Sequence, residues 1–389
     1  MNRPTAYYDL VGTAINGVAR DFDTFVNSVF ANKYNSTTLP PNFAWDSTIQ
    51  MDYTYDQLML ETGVYAMATY VSRNSDAPYR SVRGAQLATG KIPTFKDGFA
   101  LDEKVMREQM ILAQRGIVDG QTNSAMLDLL FNSVDQLLGG VYNRLAHQRH
   151  QAVSTGQIVM LDADNPNGIQ NITLPFNVPS DNVTTLAGNY RWWTDSAYTS
   201  EGSDAVPLTD LVNLVKAAED AFAPYAALEV SKRGFNRAMT HSKMLIAMGY
   251  LYNPLVGDDT TAGNVARQLS TEQMRQMLSN KLGVDIRIID KLVQVEKWDK
   301  ATKAIVRPTM SAFDEDAWVL VPAGDLGTIK AVEPLVVPDP AARIAYYDGG
   351  RTLIKQKFDA DLNIQYIKSQ TSALCVLNKP QQMFYLNIK

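Results

Sequence analysis

The stretch "LAHQRHQAV", Leu145 to Val153, holds two of the chain's three histidines and is the first place to look for chemistry. His147 and His150 are three residues apart, so on a helix both imidazoles lie on one face. A zinc site needs three or four ligands, and the usual helical pair is HxxxH with a glutamate beside it. Here Arg149 stands between the histidines, neither Asp nor Glu lies within ten residues of the pair, and His241 is far away in sequence. No metal site is expected, and the pair reads as the solvated end of a helix. Asp258 and Asp259 in "VGDDTTAG" are adjacent carboxylates, which seldom converge on one reacting atom, so that stretch reads as a solvated, helix-breaking loop. Asp314, Glu315 and Asp316 in "FDEDAW" could hold a hard cation, but the glycine and distal glutamate of a calcium loop are missing.

The search for catalytic signatures is equally negative. The sequence has no GxGxxG after a strand, no GxxxxGK[ST], no GxSxG, no HExxH and no CxxC. Neither an enzyme nor a cofactor is expected. The single cysteine, Cys375, lies in the apolar run "ALCVLN" and reads as a buried small hydrophobe. It has no partner for a disulfide, which fits folding in a reducing cytoplasm.

Composition narrows the class further. Apolar residues make up 46% and charged residues 20%, the balance of a globular protein, and 389 residues call for two or three lobes. A net charge of -5 gives no electrostatic reason to bind nucleic acid. The N-terminus has no sustained apolar segment of the signal-peptide kind, and no stretch approaches the length of a membrane span.

The elements that must position these residues read as α+β, with helices concentrated between 100 and 285 and strands at both ends. Pro40 and Pro41 suggest an extended arm. "PYRSVRGAQLATGKIPTFKDGF" intersperses Gly84, Gly90 and Gly98 with Arg80, Arg83, Lys91 and Lys96, and reads as a long exposed basic hairpin. "LDEKVMREQMILAQRG" reads as a helix. The strongest signal is the recurrence of Leu127, Leu130, Phe131, Val134, Leu137, Leu138, Val141 and Leu145 at three- and four-residue steps. It predicts a helix of about 30 residues from Asn123 or Ser124 to the stop at Gly156. Gly139 and Gly140 fall mid-helix, where each costs about 1 kcal/mol relative to alanine. They mark either a flex point or a close packing contact.

"QIVMLD", "NITLPFNV" and "NYRWWTD" then read as strands, and "SAYTSEGSD" as a flexible polar link. "LTDLVNLVKAAEDAFA" has one apolar face and reads as a helix, as does "HSKMLIAMG" after a strand-like "ALEVSKRG". Ser270 and Gln273 form an expected capping box. The last 80 residues read as strands and turns, with a hairpin at Asp348, Gly349 and Gly350. An extended arm, a basic hairpin and an over-long helix have surfaces to bury, and another copy of the chain is the obvious place.

That order of parts resembles the major capsid proteins of tailed bacteriophages, with the Hong Kong 97-type fold, and especially the phage major capsid protein E family. The resemblance rests on "GKIPTFKDGFALDEKVMREQM", on "RLAHQRHQAVSTGQIVM" and on "YRWWTD" running into "DAVPLTDLVNLVKAAEDAF". These blocks cover roughly residues 85 to 250. The lengthened "SAYTSEGSD" and residues 1–50 depart from the family's pattern.

The resemblance implies an N-terminal arm at 1–50, an E-loop region at 51–100, and a peripheral domain at 101–195 with a spine helix at about 123–155. It also implies an axial domain at 196–325 and C-terminal strands at 326–389 completing both domains. The subunit would self-assemble into hexamers and pentamers of an icosahedral head around double-stranded DNA, without sequence-specific binding and with no membrane. Portal, scaffold and decoration proteins would be its partners, and the virion its location after assembly in the host cytoplasm. Arg80, Arg83, Lys91 and Lys96 would make inter-subunit contacts, and Gly139 and Gly140 would be the flex point of the spine. The alternatives are the shell of a cellular nanocompartment with the same fold, or an enzyme or binding protein of unrelated fold.

Overall fold

A computed structural model describes residues 38–60, 85–101, 122–161, 171–299, 304–336, 342–359 and 364–389, with single positions between Asp23 and Tyr34 and at Lys104. The chain divides into two compact units, one of residues 1–55, 91–146 and 329–375, the other of 56–90, 147–328 and 376–389. In chain order the first strands are β1 (Phe43–Trp45), β2 (Thr54–Leu60), β3 (Ala85–Lys91) and β4 (Thr94–Leu101). Helix α1 (Thr122–Thr155) follows, then β5 (Gln157–Met160), β6 (Ile172–Pro175) and β7 (Val183–Thr185). Next come α2 (Pro207–Asp220), β8 (Ala227–Ser231), α3 (Lys232–Thr240), α4 (Ser242–Tyr252), α5 (Asp259–Ala266) and α6 (Thr271–Leu282). The remaining strands begin with β9 (Asp285–Ile289), β10 (Leu292–Gln294), β11 (Lys297–Asp299), β12 (Ala304–Val306) and β13 (Thr309–Ser311). They end with β14 (Ala317–Val321), β15 (Gly327–Val332), β16 (Ala342–Tyr347), β17 (Thr352–Asp359), β18 (Ile364–Leu377) and β19 (Phe384–Asn387).

In the first unit the sheet runs β1-β15-β18-β17-β16, with β4 also paired to β18. The turn between β16 and β17 is the expected hairpin. Asp348, Gly349 and Gly350 all take positive φ, of 54°, 68° and 94°, and two of the three are glycines that do so without strain. Val134, Leu137, Leu138 and Tyr142 of α1 pack against Ala345, Tyr347, Ile354 and Ile367 of the sheet. Val26 and Phe30, from the segment expected as an arm, are buried in the same core. Asp23 and Asn27 bond the backbone N–H and C=O of Tyr346 at 2.8 and 3.0 Å, covering part of the β16 edge. Cys375 is fully buried, its thiol 3.5 Å from the Leu145 carbonyl.

The described part of the expected basic hairpin, Ala85 to Phe99, is not a hairpin of its own, a correction to the sequence reading. Its strands change partners at Ile92–Pro93: β3 pairs with β2, whereas β4 pairs with β18, Thr94 lying opposite Ser372. Pairing over such a separation leaves no trace in the local pattern.

In the second unit the sheet order is β7-β19-β14-β8-β9, with the two edge pairings parallel and the inner ones antiparallel. Every residue of β8 and β14 is buried, as expected of strands covered on both faces. One face carries Leu228, Val230, Trp318 and Leu320 against the buried stripe Leu211, Leu214, Val215 and Ala218 of α2. Trp192 meets Trp318 edge-on with ring centres 5.7 Å apart, a geometry worth roughly 0.5–1.5 kcal/mol beyond burial. "NYRWWTD" is no strand, another correction. Its two tryptophans serve the core from a turn, fixed where the Trp192 backbone N–H donates to the Ile388 carbonyl, whereas Tyr190 is exposed.

α6 starts with the expected capping box, and Gly283 closes it at φ 69°. Within "VGDDTTAG" a helix begins at Asp259 where a loop was expected: Asp258 caps α5 by accepting from Thr261 N–H at 2.8 Å. The strand "ALEVSKRG" likewise stops at Ser231, whose hydroxyl accepts from Gly234 N–H at 2.9 Å and starts α3. The expected helix "LDEKVMREQMILAQRG" lies outside the described residues, apart from Leu101, which ends β4, and helical Lys104.

Candidate functional site

The histidine pair sits near the end of α1, which at 34 residues is roughly 50 Å long. Its residues up to Ala146 belong to the first unit and those from His147 to the second. The expectation of a solvated helix end is overturned: Arg149 has no exposed surface, and Gln148 and His150 are each 4% exposed. The cause lies in β8. Alternation along this strand turns Leu228 and Val230 to one face and Glu229 to the other, so a carboxylate is buried in an otherwise apolar strand.

Arg149 Nη2 donates to Glu229 Oε1 at 2.8 Å, with both side chains at most 2% exposed. Arg149 Nη1 lies 2.9 Å from His150 Nδ1. A guanidinium has only donors, so His150 Nδ1 accepts and the imidazole is neutral. Burial, and then the charge of Arg149, push the His150 pKa down to about 3. Phe313 covers the ring edge-on at 6.3 Å. Among the described residues, no group of three or more His, Cys, Asp or Glu side chains could hold a metal ion. The cluster acts as a structural lock. An ionisable residue in the middle of "ALEVS" was the signal in the sequence that could have found it.

The "SAYTSEGSD" segment, expected to be flexible, is pinned. Asp195 accepts from the backbone N–H of Thr199 and Ser200 at 2.9 and 3.1 Å. Tyr198, held at φ 58°, donates to Asp316 at 2.9 Å and lies under the Arg237 guanidinium at 3.6 Å. Burial and the hydrogen bond to Asp316 push its phenol up to about 12. Glu315 pairs with Arg233 at 3.0 Å and with Arg237 at 2.6 Å. Two carboxylates of "FDEDAW" thus fix neighbouring loops. Asp314 accepts from Asp316 N–H at 2.9 Å, and burial raises its pKa.

His241 is buried as the cap of α4, its Nδ1 accepting from Lys243 N–H at 3.2 Å, and burial lowers its pKa. His241 thus has a role separate from that of His150.

Of the basic residues singled out, Lys91 ends β3 and Lys96 lies in β4, and both are exposed. Arg80 and Arg83 lie outside the described residues. Gly139 and Gly140 are both helical, and α1 runs through them without a break. A Cβ on Gly139 would stand 3.2 Å from the Tyr34 hydroxyl, and one on Gly140 would stand 3.2 Å from Asp97 Oδ2. Tyr34 stacks on Tyr142 at 5.2 Å and donates to Asp135 Oδ1 at 2.8 Å, so Gly139 is its seat.

Among the described residues no reacting centre is assembled, and the mixed helix-and-sheet fold is similar to a solved capsid-type structure. A protein described as the capsid protein of a prophage of Escherichia coli CFT073 is 13% identical, with 94% of this chain and 97% of that chain covered at a TM-score of 0.50. A phage-related protein from Bordetella bronchiseptica RB50 is 14% identical over 95% of this chain and 98% of that one, at a TM-score of 0.49. At such identities the likeness speaks for the fold, which is that of phage capsid subunits. Residues 40–384 match the phage major capsid protein E family, and the chain belongs to that family. No curated protein sequence matches it. The role that goes with the family is structural, as a subunit of a viral capsid.

Proposed function

We propose that the chain is the repeating subunit of an icosahedral phage head, built from hexamers and pentamers and enclosing double-stranded DNA without reading its sequence. The observation that carries this is the family match over 40–384. The net charge of -5 supports it, since a shell without basic excess does not hold packaged DNA in place. The subunit performs no catalysis, takes no cofactor, and acts in the virion after assembly in the host cytoplasm. Portal, scaffold and decoration proteins are its further partners.

In this reading residues 1–50 are the N-terminal arm, 51–100 the E-loop region and 101–195 the peripheral domain containing α1 as spine. The axial domain spans 196–325, and 326–389 complete the two. Arg80, Arg83, Lys91 and Lys96 meet carboxylates of a neighbouring subunit; the exposure of the two lysines supports this. The spine flexes at Gly139 and Gly140, supported by the low cost of bending a helix where side chains are missing.

Negative-stain electron microscopy of the purified protein at high concentration tests the reading. Closed shells of uniform diameter are expected. A monomer at every concentration, by sizing column and micrograph, would overturn it.

A further inference from the structure

Within the second unit, α4 and α5 form an antiparallel pair that touches at Gly249, where any Cβ would come within 2.0 Å of the Ala262 carbonyl oxygen. The loop joining them is built, not slack. Leu255 N–H donates to Asn253 Oδ1 at 3.1 Å, Asp258 caps α5, and Tyr250 donates to Asp259 at 2.8 Å. Yet this held loop turns Leu255 outward at 92% exposure, with Tyr252 at 57% beside it. Leu255 and Tyr252 together make an exposed apolar patch on a fixed backbone, the kind of surface that takes a contact.

The other end of the same pair carries the complement. An open cavity of about 370 Å³ is lined by Met239, Leu245 and Met274, with Thr271 and Arg267 also on its wall. Arg267 is exposed and forms no ion pair among the described residues. Leu245 is in the first turn of α4, about 10 Å along the axis from the helix end at Tyr252, and Leu255 lies in the loop beyond that end. Asp258 and Asp259 start α5, whereas Arg267 ends it. A projecting leucine beside two carboxylates, and a hole lined by three apolar and four polar side chains with Arg267 among them, therefore sit at opposite ends of one helix pair. Leu255 is too far from this hole to fill it within its own chain.

We infer that Leu255 of one copy seats in the Met239–Leu245–Met274 cavity of the next copy, with Asp258 and Asp259 facing Arg267. The contact is heterologous, and heterologous contacts between identical chains close into rings when the rotation permits. This rests on the shell-subunit reading and names a contact by which its rings form.

The test uses the full chain, in which Cys375 is fully buried and so does not compete for disulfide exchange. Leu255→Cys and Thr271→Cys are made as separate variants, mixed, assembled and oxidised. Disulfide-linked dimers should form in the mixture and fall at least about tenfold with either variant alone. Leu255→Asp and Arg267→Glu should each raise the concentration needed for shells about tenfold or more, with the melting temperature unchanged because both positions are exposed. Wild-type shells accompanied by an unlinked mixture, by Leu255→Cys homodimers in equal yield, or by normal shells from Leu255→Asp would overturn this contact and leave the shell reading intact. A wild-type chain that forms no shells would overturn both.

Discussion

Replacing Arg149 with methionine should destabilise the second unit severely. The residue has no exposed surface, and its carboxylate partner Glu229 is 2.8 Å away on a strand buried along its whole length. Glu229 Oε2 already lacks a hydrogen-bond partner among the described residues, so the variant would leave the carboxylate buried without its bond to Arg149. Stranding one member of a buried pair costs about 3–5 kcal/mol, whereas replacing both members with well-packed apolar residues is often neutral or stabilising by about 1–4 kcal/mol. Methionine and arginine have similar helix propensities, so the change at this position in α1 isolates the charge effect. Trp192, Trp193 and Trp318 all lie in the core of this unit, and their fluorescence reports its unfolding in urea. With an m-value of about 1–3 kcal/mol/M, Arg149→Met should lower the midpoint by at least about 1 M. The Arg149→Met/Glu229→Met double variant should recover most of that loss. A single variant with an unchanged midpoint, or a double variant no better than the single, would refute the reasoning.

The other expectations concern the histidines, the glycines and the basic strands. His150 has its pKa depressed to about 3, so between about pH 6.5 and 3 the unfolded chain binds the extra proton and stability falls as pH falls. Between pH 7 and 5 this group alone should remove up to about 2 kcal/mol, and His150→Phe should flatten that part of the urea-midpoint curve. Gly140→Ala should raise the melting temperature, since Asp97 is exposed and can swing away while the helix gains about 1 kcal/mol. Gly139→Ala should lower it, because Tyr34 is held by Asp135 and Tyr142; the opposite order in a thermal scan would show that the glycines are not a seat for Tyr34. Lys91→Glu/Lys96→Glu should slow shell assembly measured by light scattering without changing the circular dichroism spectrum, because each rim pair is worth only about 0–1 kcal/mol but recurs in every subunit. Elemental analysis of chelator-free protein should find no stoichiometric zinc or nickel; one metal per chain would reopen the histidine pair.

Some of this architecture can be read from the residues and some cannot, and the division follows how far away each side chain's partner is. The long helix, the Ser270–Gln273 capping box and the Asp348–Gly350 hairpin are written in patterns that complete themselves within a few turns or residues. "NYRWWTD" reads as a strand because paired aromatics favour strands, but Trp192 answers to Ile388 and Trp318, partners more than a hundred residues away. Separations of 80 and 278 residues hide Glu229 from Arg149 and Ser372 from Thr94. "ALEVSKRG" misleads for a related reason: Gly234 lets the Glu315 carbonyl approach so closely that a Cβ would meet it at 2.4 Å, and the chain turns into helix there. Leu255 is the limiting case. In "YLYNPLVG" it looks like any core leucine, and only the folded chain shows it pointing outward from a braced loop. A surface made to meet another copy completes its pattern in a different molecule. Its apolar residues therefore carry a core signature in the sequence and an exposed one in the fold, and that disagreement is what identifies them.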